Sequence, residues 1–130
     1  MKCNPEKIEK IIKKNISNCH FSVERLAEEL GISESYLRDK IFQIYCICPK
    51  NLIESIKLKK AIFLLNEGFN IQITAIKLGY TNTRTFRRVF KKWLDITPSE
   101  CRELLIRHIG YEHSIIEDIQ KTLQEKSQII

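Results

Sequence analysis

Two stretches of the chain, LAEELGISESYLRDK (Leu26–Lys40) and TAIKLGYTNTRTFRR (Thr74–Arg88), write the same turn. Each places an alanine four residues before a glycine, a bulky apolar residue after it, and then a hydroxyl residue; the glycines, Gly31 and Gly79, are 48 positions apart. These residue types are what two helices meeting at a sharp corner require. A small alanine (Ala27, Ala75) lets the helices approach closely, and glycine supplies the positive φ of the turn. Ile32 or Tyr80 plugs the corner, and the hydroxyl residue (Ser33, Thr81) caps the second helix so that its first turn points outward. One such helix-turn-helix is weak support for any function, because αα-corners also pack enzymes and bundles. Two copies in one small basic chain argue more strongly for a paired functional surface.

The rest of the chain supplies the helices around these corners. Glycine and proline number only four and three and fall between helical patterns, and no stretch sustains a two-residue alternation, so the chain reads as all-α. Pro5, behind Asn4, opens a first helix with Ile8, Ile11, Ile12 and Ile16 at spacings of three and four. Ser22 caps a second, with Arg25 where a capping box prefers Glu, and with Val23, Leu26, Ala27 and Leu30 as its apolar stripe. Ser33 caps a third that runs to Tyr45, with Leu37, Ile41 and Tyr45 facing inward. Pro49 opens a long fourth helix to Glu67, whose apolar side is Leu52, Ile53, Ile56, Ala61, Leu64 and Leu65. Ile71 to Leu78 is a short fifth, Thr81 or Asn82 caps a sixth to Leu94, and Thr97-Pro98-Ser99-Glu100 starts a seventh that ends near Gly110. A last amphipathic stretch, 114–127, sets Ile116, Ile119 and Leu123 on one side. The resulting plan is a first helix-turn-helix subdomain (1–48), a linker helix (49–67), a second subdomain (68–108) and a C-terminal helical extension (109–130).

Composition narrows the partners. The 22 Lys and Arg outweigh 16 Asp and Glu, a net charge of +6, which suits an acidic partner such as nucleic acid or an anionic surface. No run approaches the roughly 20 apolar residues that span a bilayer, and MKCNPEKIEK lacks the apolar core of a signal peptide. A cytoplasmic protein with reduced thiols, and no membrane partner, is the expectation. The five cysteines are an odd set for a disulfide framework, and Cys46 and Cys48 lack the C-x(2–4)-C spacing of a zinc site. No metal and no cofactor are expected. Nor does any Ser/His/Asp constellation, phosphate loop or pair of carboxylates suggest an enzyme; His20, His108 and His113 lie near helix ends.

The distance between the turns has a use. A linker helix of about 19 residues, at 1.5 Å each, is roughly 28 Å long, and can hold two recognition helices about one DNA turn, near 34 Å, apart. One chain can then read two successive major-groove segments, as a dimer does, without the half-sites being palindromic.

At this point the sequence resembles the DNA-binding domain of the AraC/XylS family of transcription regulators, over about residues 7–106. The segment ITAIKLGYTNTRTFRRVFKKWLDITPSECR follows the family's second motif through Ile71, Ala75, Gly79, Tyr80, Phe86, Arg88, Phe90, Lys91, Lys92, Thr97, Pro98 and Arg102. KLKKA (Lys57–Ala61) resembles the family's R-L-x-x-A in the linker. The resemblance implies an all-α fold of two helix-turn-helix subdomains on a long linker helix, homeodomain-like and AraC-type. It also implies promoter binding, DNA bending, and activation through RNA polymerase. Several positions depart from the pattern. Thr74 stands where a core aliphatic is usual and Ile73 where a polar residue is, so the fifth helix is either rotated or exposes Ile73 as a contact. Cys46 and Asp95 replace the glycines that usually end the recognition helices, Thr85 a frequent aromatic, and Asp39 a frequent arginine.

Residue by residue, the family's DNA-facing positions fall on Ser35, Arg38 and Asp39 in the first head and on Thr83, Arg84, Thr85, Arg87 and Arg88 in the second, with Lys91 and Lys92 placed against phosphate or solvent. Arg38 and Arg84 are the candidates for bidentate guanine contacts, and Asp39 either accepts from cytosine or repels backbone. The heads are unequal. Residues 82–94 carry five basic side chains and no acid, while Arg38 and Lys40 are offset by Glu34 and Asp39. Phe86, Val89 and Phe90 belong to the core, Trp93 to core or rim, and Phe42 falls on a face usually polar. Double-stranded DNA is the expected partner, bound by a monomer or by a weak dimer formed through the 114–127 helix. The chain is either a stand-alone regulator or the output part of a longer protein. The competing expectation is a protein-interaction module that keeps the scaffold and has lost DNA reading, which the neutral first head, Phe42 and Ile73 favour.

Overall fold

The computed structural model describes residues 4–107 and, beyond them, positions 117, 121 and 125. Seven helices succeed one another in residues 4–107: α1 (Pro5–Lys14), α2 (Val23–Leu30), α3 (Glu34–Tyr45), α4 (Pro49–Asn66), α5 (Ile71–Lys77), α6 (Thr83–Leu94) and α7 (Pro98–Arg107). No strand occurs among the described residues. Of the 114–127 stretch only Glu117, Lys121 and Glu125 are described, all helical and exposed; Ile116, Ile119 and Leu123, with His108 and His113, lie outside the described residues.

Helix starts follow local chemistry. Asn4 Oδ1 accepts from the Lys7 N–H (2.8 Å), Ser22 Oγ from Arg25 (3.3 Å), Ser33 Oγ from Tyr36 (3.1 Å) and Asn70 Oδ1 from Ile73 (2.8 Å). At α7 the Thr97 N–H donates to Glu100 Oε1 (3.0 Å) and the Glu100 N–H donates to Thr97 Oγ1 (3.1 Å), a complete capping box. Both corners close with the same bonds. The Ile32 N–H donates to the Ala27 carbonyl (3.1 Å) and the Tyr80 N–H to the Ala75 carbonyl (3.0 Å), around Gly31 at φ 70° and Gly79 at φ 81°.

The second copy nevertheless differs by one residue. Its recognition helix is capped by Asn82, whose Oδ1 accepts from the Thr85 N–H (2.8 Å), and not by Thr81. The caps Ser33 and Asn82 are therefore 49 positions apart while the glycines are 48 apart. An Asx side chain caps at least as well as threonine, so the longer turn costs little.

Two cores meet on α4. Ile8, Ile12, Leu26, Ala27, Leu30, Leu37, Ile41 and Ile47 pack with Leu52 and Ile53 from its first half. Leu58, Ala61, Ile62, Leu64 and Leu65 from its second half pack with Ala75, Leu78, Phe86, Val89, Phe90, Trp93, Leu94, Cys101 and Leu105. Burial on nearly every side explains why α4 carries more apolar residues, Leu58 and Ile62 included, than a single stripe contains. In α5, Thr74 is fully buried, with its Oγ1 donating to the Asn70 carbonyl at 2.8 Å, and Ile73 is exposed. The helix is not rotated: the threonine satisfies its hydroxyl within the preceding turn and packs as an aliphatic would.

Candidate nucleic-acid interface

The outward faces of α3 and α6 are set by what they bury. Leu37 and Ile41 of α3 are fully buried, as are Phe86 and Phe90 of α6, each 49 positions further on. With these pairs as anchors, the exposed stripe of α3 reads Ser35, Arg38, Asp39, Phe42, and that of α6 reads Arg84, Arg87, Arg88, Lys91. All eight side chains are exposed, at the i, i+3, i+4, i+7 spacing of one helix face. Thr83 and Thr85 are half-buried at the start of α6.

The two stripes differ in chemistry. The α6 stripe is four cations, one per register position, behind a helix N-terminus whose N–H groups also favour anions. In the α3 stripe one cation is balanced by one carboxylate, and the fourth position is Phe42, 53% exposed. Lys40 lies off this stripe with its Nζ 5.4 Å from the centre of the Tyr36 ring.

Lys92 stands apart from the others. Its Nζ lies 3.2 Å from Glu54 Oε1 on α4, and the same oxygen accepts from Trp93 Nε1 at 3.0 Å. Glu54 thus ties α6 to the linker helix, and Trp93 is core rather than rim, 4% exposed. Nothing in the local sequence signals this link, since its partners are 38 and 39 residues apart.

Beside Glu54, Lys57 points its Nζ at the Tyr80 ring, 4.8 Å from the centroid, and Tyr80 packs on Phe86 at 5.4 Å between ring centres. Burial pushes the Lys57 ammonium below the ordinary lysine value, against the opposing pull of Glu54 and Cys19. Burial, and then the Glu54 charge, push the Tyr80 phenol up; its hydroxyl is buried without a hydrogen-bond partner. No group of three or more metal-ligating side chains converges among the described residues, and no described helix is long and apolar enough to cross a membrane.

Comparison with known proteins agrees with this geometry. A helix-turn-helix domain family matches residues 26–104. Histidine kinase P4 of Formosa agariphila is 33% identical over 92 residues, which are 70% of this chain and 7% of the kinase. The transcriptional activator AggR of Escherichia coli is 27% identical over 95 residues, 73% of this chain and 36% of AggR. The chain thus spans about a third of the activator and a small part of the kinase, whose catalytic name does not carry over to it. The C-terminal domain of AraT, a response regulator from Geobacillus stearothermophilus, superposes with a TM-score of 0.73 at 29% identity, covering 78% of this chain and 86% of that domain. With the duplicated corner, the shared linker helix and these matches in agreement, the chain belongs to the AraC-type helix-turn-helix family of DNA-binding transcription regulators.

Proposed function

We propose that this chain binds a specific two-part site on double-stranded DNA, with α3 and α6 in successive major-groove segments, and that it regulates transcription from there. The observation that carries the proposal is the α6 stripe: Arg84, Arg87, Arg88 and Lys91 are all exposed on the face opposite a fully buried Phe86 and Phe90. A groove-facing helix needs that division between cations outward and aromatics inward. Arg84, nearest the helix start, reads guanine through O6 and N7, Thr83 and Thr85 set the helix against the backbone, and Arg87, Arg88 and Lys91 serve phosphate and base edge. Arg38 reads the other half-site with Ser35 and Asp39 beside it. AggR is named an activator, and contact with RNA polymerase is part of the same proposal.

The test is selection from a random duplex pool with the full chain, followed by affinity for the winning site at several salt concentrations. Arg84→Ala relaxes one part of the site and Arg38→Ala the other, each at a cost of about 1–3 kcal/mol in discrimination. Failure to enrich any site, with weak binding that vanishes at moderate salt, refutes the proposal. The second reading, a protein-interaction module, is favoured by exposed Tyr36 and Phe42 on α3 and by Ile73 and Ile76 on α5. It predicts that failure.

A further inference from the structure

The two corner glycines look equivalent in sequence and are not equivalent in space. At Gly31 an added Cβ would meet no atom within 4 Å. At Gly79 it would lie 2.8 Å from the Ile16 carbonyl oxygen, 3.2 Å from the Asn18 carbonyl oxygen and 3.3 Å from the Asn18 carbonyl carbon. The corner of the second helix-turn-helix therefore rests directly on the backbone between α1 and α2, part of the first. That backbone is itself a defined turn: the Asn18 N–H donates to the Asn15 carbonyl (3.0 Å), the Phe21 N–H to the Asn18 carbonyl (3.1 Å) and the His20 N–H to Asn18 Oδ1 (2.9 Å).

Hydrophobic packing runs through the same place. Ile12 is buried in the first core, while Ile16, one helical turn later, packs against the second. Tyr80, next to Gly79, is held under Lys57 of the linker helix, and Glu54 one turn earlier holds Trp93 and Lys92 of α6. Beyond the core it shares with the second half of α4, the second head thus touches the first head through Gly79 and Ile16, and the linker helix through Lys57 and Glu54. Turning it about the linker would open a backbone contact closer than any side chain allows, and strand Ile16.

We infer that the seat of Gly79 on Ile16–Asn18 locks the two recognition helices into one relative placement, so that Gly79 is a positioning residue that sets which half-site spacing the chain accepts. The consequence for DNA rests on the function proposed above; the lock itself does not. A reader with two rigidly placed heads gains from both only when both fit, and loses the gain when one base pair is added between the half-sites.

The experiment has an arm without DNA and an arm with it, both on the full chain. Without DNA, urea unfolding is followed by far-UV CD and by fluorescence of Trp93, the single tryptophan, which lies in the second core. Locked heads unfold together, so the wild-type transitions coincide. Gly31→Ala shifts both transitions equally. Gly79→Ala, and Ile16→Ala as the variant without backbone strain, separate them. With DNA, affinity is measured for the selected site and for the same site with one base pair inserted. The wild type loses about 100-fold on insertion, Gly31→Ala keeps that ratio, and Gly79→Ala and Ile16→Ala lower it at least about threefold. Separate transitions in the wild type, or coincident transitions and an unchanged spacing ratio in both seat variants, overturn the inference. Coincident wild-type transitions that separate in the variants, with no two-part site enriched, uphold the lock and sink the DNA proposal.

Discussion

Replacing Cys46 by glycine should make the protein more stable, although it removes a side chain. Cys46 ends α3 at φ 63° and ψ 23°, with its N–H donating to the Phe42 carbonyl at 2.9 Å. A residue with a Cβ in this left-handed region carries about 1–2 kcal/mol of steric cost. Glycine removes that cost but brings extra freedom to the unfolded chain, which takes back about 0.4–1 kcal/mol. The Cys46 side chain is exposed, so little burial is lost. The net gain is about 1 kcal/mol, or about 3–5 °C in Tm for a chain of this size. Gly31→Ala is the same experiment in reverse: φ is 70° and nothing lies within 4 Å of the new Cβ, so strain alone is introduced. It should lose about what Cys46→Gly gains, about 1 kcal/mol. Urea unfolding by far-UV CD measures both, and the m-value should stay constant. A Cys46→Gly protein no more stable than wild type, at unchanged m, would refute the account of α3 ending under strain.

Further outcomes follow from the same contacts. Lys91→Ala should reduce the salt slope of DNA binding by about one, and Lys92→Ala by less, because Lys92 already pairs with Glu54. Glu54→Ala should cost about 1–3 kcal/mol, since it leaves buried Trp93 Nε1 without its acceptor, and should shift the tryptophan emission. In a thiol titration of the native protein near pH 8, exposed Cys19, Cys46 and Cys48 should react. Cys101, whose thiol burial pushes up to about 12, should react only on unfolding. The capping box holds the Glu100 carboxyl below its ordinary value, first through the Thr97 N–H. Its contribution is therefore present above the ordinary carboxylate pKa and is lost as pH falls through the lowered one. Glu100→Gln should flatten that part of the acid-unfolding curve.

Much of this molecule was legible in its sequence, because the signals are short-range. Capping residues act within three positions, glycine corners within five, and an apolar stripe within two turns, so Asn4, Ser22, Ser33, Thr97 and the two corner glycines marked their elements directly. The basic stripe of α6 was legible for the same reason, once Phe86 and Phe90 were read as core. What required the tertiary structure joins residues far apart in the chain or trades strain against packing. The local sequence left the cap of α6 open between Thr81 and Asn82; the structure takes Asn82 and with it a register of 49 between the two heads, which pairs Phe42 with Lys91. Asp95, like Cys46, was held at a positive φ (63°) by its place between packed helices, where a glycine would have been the local choice. Glu54 meets Lys92 across 38 residues, a pairing that no local pattern announces. Most of all, two glycines written alike took different roles, since only packing puts the backbone of Ile16 and Asn18 against one of them. A local pattern states that a turn needs glycine; it carries no information about what the fold will press against the missing side chain.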